Sequence, residues 1–442
     1  MNKSTLALAV SVGVLAQQAG AAGFIEDSKA TLGLRNFYIN TDNRSGAANP
    51  SRNEEWGQGF DLRFISGYTQ GTVGFGVDAI GLLGVRLDSG GGTNGAANGA
   101  AYGGTVFPSE SNGEAVDNFS SLGLTAKAKI SQTELKLGTL QPKLPVIVTN
   151  DGRLLPQTFQ GGQITSSEIK DLTLVGGQIE HVKGRNSSSN EQLSIGGASA
   201  RTANSNKFIY AGGDYKITKD LTAQYYYGNL EDFYKQHFLG LVHNWSIGPG
   251  VLKSDLRYFN SSDDGLNGNT AAYYSNGNYN STANGKGKVD NNLYSGLFLY
   301  TVAGHTFGGG YQVSNGSSDL PWLNQGDGSS AYLTTDSQIA KFARAGERTW
   351  QARYSYDFAK VGVPGLTAGV VYLHGDDIDT RSPASTDSSE WERDLTVGYV
   401  VPEGPLKNVG LMWKNATWRT NIPGQRDQDE NRLIVSYSIP LL

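Results

Sequence analysis

Residues 122–130 read Leu122-Gly123-Leu124-Thr125-Ala126-Lys127-Ala128-Lys129-Ile130. Every second residue from Leu122 is apolar or small, and both lysines occupy intervening positions. Because successive side chains of a β-strand point to opposite faces of the sheet, this segment predicts a strand with one apolar and one wet face. The same period of two recurs at 251–258 and, less regularly, at 432–441.

The segments that connect such strands differ strongly in length. Short connections with turn residues lie at 66–71, 218–220, 247–250, 303–305, 362–365 and 402–405, and long ones rich in Gly, Asn, Ser and Asp lie at about 88–118, 183–207, 260–291, 315–348 and 375–390. Short periplasmic turns and long external loops are typical of transmembrane β-barrels. A soluble β-sandwich or propeller is an alternative for any single strand, but the alternation over the whole chain favours a barrel.

The composition agrees with this fold class. The chain of 442 residues has 59 glycines, no cysteine, and 22 Tyr, 16 Phe and 7 Trp. A membrane barrel turns apolar residues outward to lipid and polar residues inward to water, so it can be large and polar on average. The formal net charge of −5 gives no strongly basic face, and no nucleic-acid partner is expected.

The N-terminus has the features of an export signal. Lys3 precedes an apolar run from Leu6 to Ala16, and Ala19-Gly20-Ala21 has the small-x-small form that signal peptidases cleave. The run is too short to span a bilayer. We therefore predict a signal peptide over residues 1–21 and a single outer-membrane barrel domain over residues 22–442.

No constellation of residues predicts catalysis, a cofactor or a metal centre. The five histidines lack the H-E-x-x-H spacing of zinc hydrolases, and no nucleophilic elbow or phosphate-binding loop occurs. The acidic group Asp427, Asp429 and Glu430 is either a solvated loop or a contact for a divalent cation or lipopolysaccharide. The sequence thus predicts a protein that is not an enzyme.

Basic residues recur on the wet faces of the predicted strands. They are Lys127, Lys129, Lys253, Arg257, Arg353, Lys414 and Arg432. A charge that faces lipid at mid-bilayer costs on the order of 2–4 kcal/mol, so these side chains are expected in the lumen. Rows of Lys and Arg there would raise the local concentration of anions. The alternative is that such cations merely pair with nearby carboxylates such as Asp255.

One segment, 140–159, departs from the hairpin pattern. It contains three of the 13 prolines, Pro142, Pro145 and Pro156, together with the apolar run from Val146 to Val148. Proline removes ladder donors, so this is not a central strand, yet the segment is too apolar to lie in water. We predict a loop that folds into the lumen and narrows the pore.

Eight short segments resemble, in order along the chain, the OprD-type porins of pseudomonads, also called outer-membrane carboxylate channels. They are residues 23–28, 34–36, 71–78, 153–158, 230–232, 350–354, 362–367 and 431–435. The resemblance implies an all-β, 18-stranded antiparallel barrel with an inward-folded third loop. It also implies a ladder of basic residues that guides carboxylates.

The resemblance assigns roles to individual positions. Lys127, Lys129, Arg353, Lys414 and Arg432 match basic residues of the family, Arg153 matches an arginine of the constriction loop, and Tyr226 matches an inward tyrosine. Together with Lys253 and Arg257 from the wet-face pattern, these are the predicted solute-binding residues. Met412 and Val371 stand where arginine-transporting members have further arginines, and Lys341 stands where they have an acid, so the ladder is thinner here.

The predicted function is passive, selective diffusion of small carboxylate-containing solutes, whether amino acids or aromatic or organic acids, across the outer membrane. A structural or adhesive barrel with a plugged lumen is the alternative. The expected partners are outer-membrane lipid, lipopolysaccharide and the solutes themselves. The sequence leaves open whether the barrel is a monomer or a loose trimer.

Overall fold

The computed structural model describes residues 23–44, 51–88, 104–111, 113–196, 203–274, 288–324, 330–381 and 384–442. In these residues, eighteen long strands form one antiparallel sheet. They are β1 (Lys29–Asn43), β2 (Arg52–Ile65), β3 (Gly74–Asp88), β4 (Asn118–Ile130), β5 (Thr133–Leu140), β6 (Thr158–Ser166), β7 (Leu172–Lys183), β8 (Phe208–Lys216) and β9 (Leu221–Leu230). The second half comprises β10 (Tyr234–Ile247), β11 (Gly250–Asp263), β12 (Asp290–Val302), β13 (His305–Gly316), β14 (Arg348–Asp357), β15 (Leu366–Arg381), β16 (Ala384–Val400), β17 (Gly410–Thr420) and β18 (Gln428–Pro440).

The sheet closes on itself as a barrel. Each strand pairs with the next in sequence, and β18 pairs with β1 from Thr31↔Pro440 to Asn43↔Gln428. The start of β1 and the end of β18 therefore lie at the rim that carries the short turns, which identifies that rim as periplasmic. No helix among the described residues is long and apolar enough to cross a membrane. In the described ranges, the helices are the 3-10 turns Gly265–Gly268 and Phe358–Val361 and the α-helix Ala271–Tyr274.

The external rim carries most of the long connections predicted from the sequence. We name three of them by their order among the external loops: L3 (residues 141–157), L4 (residues 184–207) and L7 (residues 317–347). The predicted loop at 375–390 is wrong, because these residues extend β15 and β16 and leave only 382–383 as the connection. Pairs such as Ile378↔Ser388 continue the hairpin. Its composition is loop-like although one face is buried, at Ile378, Thr380, Ser388 and Glu390.

The strands have one apolar outer face and one polar lumenal face, as the period of two predicts. Leu122 is 68% exposed on the outside of β4, whereas Lys127 is buried on the lumenal side. On β11, Leu256 is exposed and Asp255 is buried. The prediction of one apolar and one wet face is confirmed for both strands.

Apolar side chains fill part of the lumen. One buried cluster joins Val146 and Ile147 of L3 to Phe208, Tyr226 and Phe238 on the barrel wall. A second cluster packs Leu154 and Leu155 of L3 against β1, β3 and β4 through Phe37, Leu82 and Phe119. The prediction that L3 folds inward is confirmed.

We expect Leu256→Arg to lower the free energy of unfolding in lipid vesicles by about 2–4 kcal/mol, because it places a charge on the lipid face near the middle of β11. The measurement is a guanidinium titration of the vesicle-embedded protein. Ser355→Arg, which adds the same group to an exposed lumenal position of β14, is the control and should change it by less than about 1 kcal/mol. Equal losses in both variants would contradict the assigned faces.

Candidate functional site

Basic side chains of the barrel wall hold L3 in the lumen. Arg35 of β1 donates from Nη1 to the Asp151 carboxylate at 2.7 Å and to the Arg153 carbonyl oxygen at 2.6 Å. Arg432 of β18 donates from Nη1 to the Gly152 carbonyl oxygen at 3.3 Å. Arg185, at the start of L4, donates to the Asn150 side-chain oxygen at 2.9 Å. The lumenal end of L3 is therefore fixed from three sides by guanidinium groups.

L7 also folds into the lumen, and an acidic residue of the wall holds its tip. The backbone N–H groups of Gln338, Ile339 and Ala340 donate to the Glu392 side chain at 3.1, 3.0 and 2.6 Å. The Ser337 hydroxyl donates to Asp394 on the same face of β16. This second inward loop is not predicted from the sequence. Residues 320–323, Leu-Pro-Trp-Leu, carry the same apolar, proline-bearing signal that identified L3.

The inward loops brace one another. Residues 145–148 of L3 lie against Leu320, Trp322 and Tyr332 of L7. The short strand Ser194–Ile195 of L4 pairs with Leu323–Asn324 of L7. Because three loops meet inside the barrel, the constriction is a packed structure rather than a single flap.

Three of the predicted solute-binding cations are held in ion pairs. Lys127 is 5% exposed, and its ammonium lies 2.6 Å from Asp78 and 2.7 Å from the Ser66 carbonyl oxygen. Gly76 leaves room for it, since a Cβ there would lie 2.5 Å from Lys127 Cε.

Arg257 and Arg432 each pair with an acid two residues earlier on the same strand face. Arg257 donates from Nε and Nη2 to both oxygens of Asp255 at 2.8 Å, and its guanidinium lies 4.0 Å from the ring centre of Tyr332 in L7. Arg432 contacts one oxygen of Glu430 from Nε and Nη2, both at 2.7 Å. For these cations, pairing with a nearby carboxylate is what the structure shows.

Four other predicted cations have no carboxylate oxygen within 4.0 Å in the part of the chain that the structure describes. They are Lys129, Lys253, Arg353 and Lys414. Arg353 donates to neutral acceptors, the Gln351 side-chain oxygen at 2.7 Å and the Thr334 carbonyl of L7. The Lys129 ammonium lies 5.8 Å from the ring centre of Tyr68. On each strand, the residues before and after these four cations face outward. The side chains of all four therefore point into the lumen.

The two remaining predicted residues make structural contacts. The Arg153 guanidinium donates to the carbonyl of Thr105, which ties L3 to the segment 104–111 of another external loop. Tyr226 is buried in the apolar cluster around the L3 tip. Gly212 on β8 accommodates its ring, because a Cβ there would lie 2.4 Å from the Tyr226 Cδ1.

Two lumenal arginines that position L3 were not among the predicted residues. Arg35 lies in the segment 34–36 that carries the family resemblance, and its wet-face position on β1 was a usable signal. Arg185 lies in a loop, where no periodicity indicates a direction. Two of the three acids singled out near the C-terminus contact arginines: Arg44 and Arg419 bind Asp429 at 2.6 and 2.9 Å, and Arg432 binds Glu430. The third, Asp427, accepts from the Thr420 backbone N–H at 3.0 Å.

A closed antiparallel barrel with an apolar outside and a lumen narrowed by charged, inward-folded loops defines a diffusion channel of the bacterial outer membrane. Residues 22–441 match the outer membrane porin, OprD family. The chain belongs to that family.

Individual relatives agree with this assignment. The porin-like protein GalP of Pseudomonas putida is 39% identical over 439 residues, covering 99% of this chain and 97% of its own. The crystal structure of OccK8 (OprE) of Pseudomonas aeruginosa has 62% identity and a TM-score of 0.85, covering 95% of this chain and all of that one. The structure of Pseudomonas aeruginosa OpdK with vanillate has 37% identity and a TM-score of 0.83, with the same coverage.

Family membership decides between the hypotheses raised by the sequence. The protein is an outer-membrane porin, a passive channel rather than an enzyme. The 18-stranded antiparallel barrel expected from the resemblance is confirmed. The structural or adhesive barrel is not supported.

We expect Glu392→Ala to loosen the tip of L7, because three backbone N–H groups would lose their acceptor at a cost on the order of 1–3 kcal/mol each. Single-channel recordings should then show more frequent transitions between conductance levels. Glu403→Ala, which removes an exposed acid from a periplasmic turn, should behave like the wild type. Unchanged current noise in Glu392→Ala would show that other contacts hold L7.

Proposed function

We propose that this porin selects small solutes that carry a carboxylate, and that Lys129, Lys253, Arg353 and Lys414 form the basic ladder along which they pass. The observation that carries the proposal is that these lumenal cations have no carboxylate within 4.0 Å among the described residues. A cation already paired with Asp or Glu presents little net field to a solute. A cation that contacts no carboxylate presents a larger net field to a solute.

The strength of this attraction depends on the surroundings. In a constriction with little water the effective dielectric constant is lower than in bulk, so a fixed cation stabilises a carboxylate more strongly there. Passage also requires that no single site hold the solute too tightly. Several separate cations of moderate strength meet both requirements better than one deep site.

Apolar lumenal residues beside the cations favour solutes with an apolar body. Met412 and Ile434 pair across β17 and β18, one lumenal position from the Lys414↔Arg432 pair. Val371 pairs with Arg353 across β14 and β15. We therefore propose aromatic or other apolar carboxylates as preferred solutes over cationic amino acids. Vanillate, found with the relative OpdK, is an aromatic carboxylate of this kind.

We also propose that export removes residues 1–21 before the barrel assembles. These residues lie outside the described part of the chain, and the family match begins at residue 22. A monomer or a loose trimer, in contact with lipopolysaccharide, is the assembly we propose in the membrane.

We expect Lys414→Gln to lower the influx of benzoate into liposomes roughly three-fold, because one of the ladder charges is lost. Influx of an uncharged sugar of similar size should change little. The reversal potential in a salt gradient should shift toward cations.

Lys407→Gln is the matched control, because it removes the same charge from an exposed periplasmic turn outside the lumen. Equal losses for benzoate and sugar in Lys414→Gln would indicate a steric effect and would contradict the ladder. So would an equal loss of benzoate influx in Lys407→Gln.

A further inference from the structure

The outer face of the barrel carries few charges. Among the described strand residues, five cations alternate onto this face, and four of them pair with an acid. The pairs are Arg52 with Glu54 at 3.3 Å, Lys235 with Asp264 at 2.7 Å, Arg348 with Asp377 at 3.5 Å and Arg419 with Asp429 at 2.9 Å. The fifth cation is Arg393 of β16.

Arg393 differs from the other four in its partner. Its guanidinium donates from Nη2 to the Thr417 hydroxyl at 3.0 Å, and no carboxylate oxygen of the described residues lies within 4.0 Å of it. The residue is exposed, and its outward-facing strand neighbours are Trp391 and Leu395. A formal charge thus stands on the lipid face with only a neutral hydroxyl as acceptor.

A row of aromatic rings fixes the depth of Arg393 in the membrane. The ring centres of Trp350 and Tyr372 lie 5.2 Å apart, and those of Tyr372 and Trp391 lie 5.9 Å apart. Trp and Tyr collect at membrane–water interfaces. Because β16 runs from the external rim toward the periplasm, Arg393 lies one outward position below Trp391, about 5 Å along the barrel axis. This is the boundary between head groups and acyl chains in the external leaflet.

At this depth in the membrane, an anionic partner would stabilise the Arg393 guanidinium. A guanidinium facing lipid is costly toward the bilayer midplane and tolerated near the interface, where it can reach a charged group. Arginine binds phosphate oxygens through two parallel N–H···O bonds. The outer leaflet of a Gram-negative outer membrane consists of a glycolipid, lipid A, whose sugars carry phosphates at this level.

We propose that Arg393, with the Thr417 hydroxyl and the Trp391 ring beside it, forms a binding site for a phosphate group of outer-leaflet lipid A. Arg419 borders the site through its pairing with Trp391 across β16 and β17. Asp429 already binds Arg419. Arg393 is therefore the cation that supplies the charge for the phosphate.

The test measures lipid A binding to the purified barrel in detergent micelles by native mass spectrometry. The wild type should bind bisphosphorylated lipid A about ten-fold more tightly than dephosphorylated lipid A, because the latter cannot form the charge-assisted bonds. Arg393→Gln can keep a hydrogen bond to Thr417 but loses the charge, and it should bind both forms with the same weak affinity. Arg393→Lys should keep part of the preference.

Arg52→Gln is the control, because Arg52 faces outward on β2 but is already paired with Glu54. It should preserve the ten-fold preference. An unchanged preference in Arg393→Gln, or equal binding of both lipids by the wild type, would overturn the site. Dissociation of oligomers in Arg393→Gln with unchanged lipid A affinity would also overturn it, since Arg393 would then face a second copy of the chain.

Discussion

The pairing of β1 with β18 is the contact on which the rest of the molecule depends. No water is available inside the bilayer to satisfy backbone N–H and C=O groups, so a sheet can cross it only when it has no free edge. The register from Thr31↔Pro440 to Asn43↔Gln428 provides this closure. The register also decides which side chains face the lumen and which face lipid. A slip of one residue would turn Arg432 to lipid and Leu433 to the lumen.

Closure of eighteen strands creates a wide cylinder that the external loops must narrow, since barrels of this size otherwise leave an open aqueous channel. The loops are docked by charges of the wall: Arg35 and Arg432 hold L3, and Glu392 holds L7. Part of the basic lining therefore stabilises the constriction and is not available to solutes. The number of lumenal arginines and lysines therefore exceeds the number of cations in the proposed ladder.

Features that depend on local periodicity can be predicted from the sequence. Contacts between residues that are far apart along the chain cannot. The two faces of β4 and β11 follow from alternation, and the inward fold of L3 follows from its prolines and apolar run. The docking of L7 could not be predicted, because Glu392 and Gln338 are 54 residues apart and no pattern links them. The hairpin at 375–390 could not be predicted, because its buried face consists mostly of polar residues such as Thr380, Ser388 and Glu390, so apolar and polar residues do not alternate there.

One local rule accounts for some of the paired cations. Residues i and i+2 of a strand share a face, and this spacing joins Asp255 to Arg257, Glu430 to Arg432 and, on the outside, Arg52 to Glu54. The rule has limits. The acid of Lys127 comes from the neighbouring strand, and Asp255, two residues after Lys253, binds Arg257 instead.

Two of the cations proposed to bind ligands agree with this rule. Lys414 has Met412 and Ala416 at these positions, and Arg393 has Trp391 and Leu395. Neither pair offers a carboxylate, so neither cation is neutralised along its own strand. Because successive side chains of a strand point to opposite faces of the sheet, Lys414 faces the lumen and Arg393 faces the membrane. The absence of an acid on the same strand face thus fits both Lys414 in the ladder proposed inside the barrel and Arg393 in the lipid A site proposed outside it.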